Sequence, residues 1–99
     1  MATFIATLKF TEHGIENIRE SPKRAAAFKS AAKKMGVKVT DEYWTLGGFD
    51  GLIIFDAPND ETATAAMLYL SSQDNVKTTT ARAFRPSEIE KVIGLLSKK

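Results

Sequence analysis

Apolar and polar residues alternate at the start of the chain: Phe4, Ala6, Leu8 and Phe10 fall on one side of an extended backbone, and Ile5, Thr7 and Lys9 on the other. This period of two predicts a strand. Thr11 is placed to cap a short turn through Ile15 and Ile18. Ser21 before Pro22 is a second start signal, a hydroxyl cap followed by a ring already fixed for the first helical position. From Pro22 to about Met35 the period lengthens to that of a helix, with Ala25, Phe28, Ala32 and Met35 as its inner stripe, and Gly36 is placed to end it.

Val37 to Leu46 and Gly51 to Ala57 are rich in β-branched and aromatic residues and read as an antiparallel hairpin. Asp50 followed by Gly51 is a strong signal for a tight turn between them, because glycine accepts positive φ and the carboxylate satisfies nearby amides. Pro58 with Asn59 or Asp60 opens a helix whose stripe is Ala63, Ala66, Met67 and Leu70. Asn75 to Phe84 alternates again as a final strand. Pro86 starts a last helix expected to bury Ile89, Val92, Ile93 and Leu96, before a basic tail of Lys98 and Lys99.

The resulting order, strand, helix, strand, strand, helix, strand and an appended helix, is the α+β ferredoxin-like βαββαβ arrangement in one domain over residues 1–99. Its helices cover one face of the sheet. In "GLIIF" Leu52 and Ile54 point one way and Ile53 and Phe55 the other, so both faces call for burial. A second sheet is the natural cover for the free face. The expectation is therefore a homodimer through the sheet face, a dimeric α+β barrel, open to further association.

Composition adds little that changes this picture. With 99 residues, 43% hydrophobic and 26% charged, the chain can bury one core, and without cysteine it has neither disulfides nor thiolate-held zinc to brace it. The opening residues lack the pattern of an export signal, and no stretch is long and apolar enough to span a bilayer, so the expected setting is cytoplasmic with no membrane partner.

"YWTLGGFDG", taken with "MATFIATLKFTEHGIENIRESPKRAAAFKSAAKKMG", resembles the GYD family of small proteins over essentially the whole chain. The naming triplet Gly, Tyr, Asp falls on Gly48, Phe49 and Asp50, with phenylalanine in place of tyrosine. The resemblance implies a ferredoxin-like fold of the dimeric α+β barrel type and transfers no activity. Related barrels host monooxygenases, isomerases and small-molecule binders, which is analogy at the level of fold.

Candidate chemistry centres on Asp50 and His13 as the two groups able to act as a general base. Turn formation explains Asp50 without a substrate, and a solvated or packed imidazole explains His13. One histidine without cysteine offers no metal-ligand spacing, so neither metal nor cofactor is expected. Tyr43 and Trp44, adjacent on a strand, face opposite sides of the sheet, one beneath the helices and one on the free face. Lys9 and Arg82, charged residues on strands, are candidates for holding an anionic group, as Phe49 is for lining a site.

A nucleic-acid partner is not expected. The four-stranded sheet is also that of RNA-recognition modules, but the aligned octamer "GGFDGLII" has Gly51 where a stacking aromatic belongs and Gly47 where a basic residue belongs. The basic residues from Lys23 to Lys38 read as a solvated helix face in a chain of net charge +2. The leading expectation is a homodimer binding a small organic molecule between sheet and helices, its free sheet face rimmed by Lys9, Trp44, Asp50 and Arg82. The alternatives are a cofactor-free isomerase or monooxygenase-type enzyme with Asp50 or His13 as base, and a structural or regulatory dimer with a closed core.

Overall fold

The computed structural model describes residues 1–97, so the basic tail Lys98 and Lys99 lies outside the described residues. Strand β1 (Ala2–Phe10) leads through a short helix α1 (Glu12–Glu16) and a 3-10 turn into helix α2 (Ser21–Lys34). Strands β2 (Lys38–Trp44) and β3 (Gly51–Ala57) follow, then helix α3 (Asp60–Ser72), strand β4 (Val76–Ala83) and helix α4 (Pro86–Gly94). The sheet is antiparallel with order β2-β3-β1-β4, the ferredoxin-like topology expected from the period of the sequence.

The helices end where their chemistry says they should. Thr11 Oγ1 accepts the Gly14 amide at the start of α1, Asn59 Oδ1 accepts the Thr62 amide at the start of α3, and Gly36 at φ +85° follows α2. Ser21 departs from expectation: it lies within α2 rather than capping it, and its buried hydroxyl accepts the Trp44 indole N–H at 2.9 Å instead.

One hydrophobic core fills the space between sheet and helices. Phe4, Ala6 and Leu8 from β1 and Ile53, Phe55 and Ala57 from β3 meet Phe28 and Ala32 of α2 and Ala63, Ala66 and Met67 of α3. Phe4 and Phe55, cross-strand partners, stack with ring centroids 5.4 Å apart. On the helix-free face the register sets Ile5 against Ile54 and Thr7 against Leu52, all half-buried.

Two expectations are corrected. The link between β2 and β3 is a loop over residues 45–50 rather than a tight Asp50-Gly51 turn, and the positive φ (+137°) belongs to Gly47. Gly51 is simply the first residue of β3. The last helix forms, but Ile89, Val92, Ile93 and Leu96 stay uncovered, from 39% exposed at Ile89 to 76% at Leu96. An amphipathic stripe reports that a partner surface is wanted without saying which chain supplies it. Arg82 and Arg85 tie the root of α4 to the sheet, through a 3.5 Å ion pair to Glu88 and a 3.8 Å pair to Asp56. Glu88 also accepts the Arg85 backbone N–H at 2.8 Å, a bond that holds its carboxyl below the usual pKa.

Candidate functional site

A cavity of about 150 Å³ opens between the sheet and helices α2 and α3. Its wall is mainly apolar, with Phe10, Phe28, Trp44, Tyr69, Leu70 and Val76 among the side chains that form it. A few polar groups interrupt this wall, as in small-molecule sites generally.

A β-bulge decides which residues of β2 reach the cavity. Val39 pairs with Phe55 and Asp41 with the next residue of β3, Ile54, so Thr40 is the extra residue. Beyond it the facing of the strand is reversed: Glu42 pairs with core-facing Ile53, and Trp44 lies opposite Gly51 on the same side. Strict alternation from Val39 would have sent Asp41 and Tyr43 to the helices instead. The Thr40 hydroxyl donates to the Ile54 carbonyl at 3.1 Å, which supplies that acceptor a partner at the irregularity.

Glu42 is thereby turned into a lined cavity. Its Oε2 has almost no accessible surface and is the one buried side-chain polar atom without a hydrogen-bond partner among the described residues. Burial raises the carboxyl pKa above its ordinary value, and the nearby Lys29 ammonium partly offsets the rise. The Arg24 guanidinium also reaches the cavity, but it donates to the carbonyls of Asn17 at 2.7 Å and Gly14 at 3.5 Å, anchoring the end of α1.

Asp50 borders the cavity in a largely structural posture. Its Oδ2 accepts the Phe10 amide at 2.9 Å, its own amide donates to the Leu8 carbonyl at 2.7 Å, and its carbonyl accepts the Thr45 amide. Two of these bonds thus join the 45–50 loop to β1, and the third closes the loop on itself.

The residues singled out in the sequence separate into groups. Tyr43, Trp44 and Asp50 contribute to the cavity wall. Trp44 lies on the helix side, correcting its expected place on the rim of the free face, while the side chain of Tyr43 is 55% exposed on the helix-free side. Lys9 is exposed on the helix-free face, directly across from Lys77. Phe49 sits in the loop, and His13 is exposed on α1; neither is among the residues lining the cavity. Arg82 also leaves the expected rim: the register puts it opposite Phe4, its guanidinium packs over the Phe84 ring at 4.4 Å, and it donates to the carbonyls of Thr3 and Ala83. Glu42 is not among the sequence candidates, because only the bulge turns it inward. Among the described residues no cluster of histidine, cysteine and carboxylate side chains is arranged to hold a metal ion, and no helix is long and apolar enough to cross a membrane.

A four-stranded antiparallel sheet with its helices on one face defines a ferredoxin-like α+β protein. Residues 4–93 match the GYD domain, and the chain belongs to that family. A Thermus thermophilus protein named "Glutamine synthetase and cystathionine beta-lyase binding protein" is 31% identical over 90 residues, covering 90% of this chain and 95% of the relative. A crystal structure of a protein from the same organism shares the fold with a TM-score of 0.57 at 20% identity, covering 86% of this chain and 95% of the other.

Proposed function

We propose that this protein is a homodimer that binds a small organic molecule, without a metal, between its sheet and helices. The observation that carries the reading is the cavity of about 150 Å³, apolar in most of its wall and furnished with one unpartnered buried acceptor on Glu42. A void of about this size accommodates a benzene-sized ring.

The dimer is supported by surface that the chain leaves exposed. A folded monomer of 10.9 kDa exposes about 5,600 Å² by the usual scaling with mass, whereas this chain exposes 6816 Å². The surplus of about 1,200 Å² exceeds the roughly 800 Å² that each partner covers in a standard interface. The radius of gyration, 15.2 Å, is likewise above the value of about 12.6 Å expected for a compact domain of this length. Ile5, Leu52 and Ile54 on the helix-free face and the bare stripe of α4 are the surfaces a second copy would cover. The proposal includes a cytoplasmic setting, which the cysteine-free composition permits.

A native mass spectrum of the protein as purified from cells tests both halves together. The expected result is a dimer carrying additional small-molecule mass. A ligand-free monomer would overturn the proposal.

A second reading, attachment to other proteins, is favoured by the stripe of α4 and the 3-10 turn after it, where Leu95 and Leu96 are 69% and 76% exposed, and by the name of the Thermus relative. Titration calorimetry against a glutamine synthetase and a cystathionine beta-lyase from the same genome checks it. Binding that is lost in an Ile93→Lys variant would support this reading, and no heat with either enzyme would remove it.

A further inference from the structure

The inference concerns what the cavity selects, and it rests on the small-molecule reading above. We propose that Glu42 is the specificity residue of this cavity, and that the ligand is a neutral, ring-sized molecule donating one O–H or N–H to the Glu42 carboxylate.

The apolar wall and the volume call for a compact hydrophobic body. Phe10, Phe28 and Trp44 supply surface for a ring, and a six-membered ring with one substituent matches a space of about 150 Å³. The orphan acceptor dictates the substituent. A buried carboxylate oxygen without a partner is costly, and a ligand whose donor meets it as the Glu42 side chain turns toward the cavity removes that cost, whereas an apolar isostere leaves it in place.

Charge favours a neutral donor over a cation or an anion. Lys29 of α2 already sets positive charge near Glu42 and Arg24 lines the same cavity, so an ammonium ligand would enter a site that already holds a cation. An anion would meet Glu42 itself and Asp50 from the 45–50 loop. The residues that α3, β4 and the turn between them bring to the wall, Tyr69, Leu70, Gln73, Asn75 and Val76, carry no formal charge at neutral pH. Asp50 is a poorer candidate for the same role, because one of its oxygens is held by the Phe10 amide.

The test uses the full chain and ligand-observed fluorine NMR with two probes of nearly equal shape, 4-fluorophenol and 4-fluorotoluene. At neutral pH 4-fluorophenol is expected to bind about tenfold more tightly, the increment of one charge-assisted hydrogen bond. The ratio should shrink in Glu42→Gln, vanish in Glu42→Leu, and contract in the unaltered protein as pH falls and the carboxylate takes up a proton. Equal affinity for the two probes in the unaltered protein would overturn the selection by Glu42 and leave the cavity reading standing. Binding of neither probe would overturn both.

Discussion

The carboxylate of Asp50 accepts the backbone amide of Phe10 at 2.9 Å, taking the part that a main-chain carbonyl of the neighbouring strand would otherwise play. With the Asp50 amide on the Leu8 carbonyl, the pair extends the β1–β3 ladder past the last paired residue of β3. The acidic member of the family's naming triplet therefore has a main-chain partner 40 residues away along the sequence.

Removing that carboxylate leaves a part-buried amide unpaired. Asp50→Ala is expected to cost about 1–2 kcal/mol, and a thermal melt should fall by roughly 4–8 °C for each kcal/mol in a domain of this size. Asp50→Asn keeps an acceptor at the same place and should lose less. An Asp50→Ala melt superimposable on that of the unaltered protein would show the bond to be immaterial.

Gly14 meets the turn between α3 and β4 at a distance that excludes any side chain. A Cβ there would lie 2.1 Å from the Asn75 carbonyl oxygen, which is also the acceptor of the Thr11 amide. Gly14→Ala should destabilise by about 1–3 kcal/mol through overpacking against backbone. Gly48, which has open space around its Cβ direction, is the control, and Gly48→Ala should leave the denaturation midpoint unchanged or raise it slightly.

Deleting Thr40 removes the extra residue of the bulge. The facing of β2 beyond it should then reverse, withdrawing Trp44 from Ser21 and sending Asp41 and Tyr43 toward the helices. Because Trp44 is the sole tryptophan, its emission reports this directly. A red shift with loss of stability is expected, and an unshifted spectrum would mean that the strand slips to restore its original facing.

Glu42 titrates in the direction set by burial. Its folded pKa lies above the ordinary value, so between the two the folded protein binds more protons than the unfolded one and stability declines as pH rises. Glu42→Gln should therefore be more stable than the unaltered protein at pH 7. That advantage should narrow as pH falls and disappear below the ordinary glutamate value of 4.5. Urea midpoints at a series of pH values measure it, and a constant difference across the series would contradict the assignment.

Most of the fold is legible in the sequence because its signals are local. Alternation in residues 4–10, the stripe Phe28 and Ala32, and the cap at Asn59 each depend on near neighbours, and the structure reproduces them. The features that escape depend on distant ones. Asp50-Gly51 carries the composition of a tight turn, but its carboxylate is used by Phe10, on a strand far away in sequence. Glu42 looks like a solvent-facing charge in any count by twos, because the pattern of residue types does not reveal an inserted Thr40. The α4 stripe reads as buried, and nothing in its period distinguishes cover by its own chain from cover by another. Of the candidate site residues, Tyr43, Trp44 and Asp50 reach the cavity because they flank one end of the β2–β3 pair, while Lys9, His13, Phe49 and Arg82 lie on other surfaces of the fold.

A crystal structure of the protein as purified, inspected for difference density between Phe28, Trp44 and Val76, tests ligand binding in the cavity most directly. Density for a ring-sized molecule is expected within hydrogen-bonding distance of the Glu42 carboxylate, in a dimer packed through Ile5 and Ile54. A cavity closed by the rings of Trp44 and Tyr69, in a chain without a partner copy on that face, would contradict it.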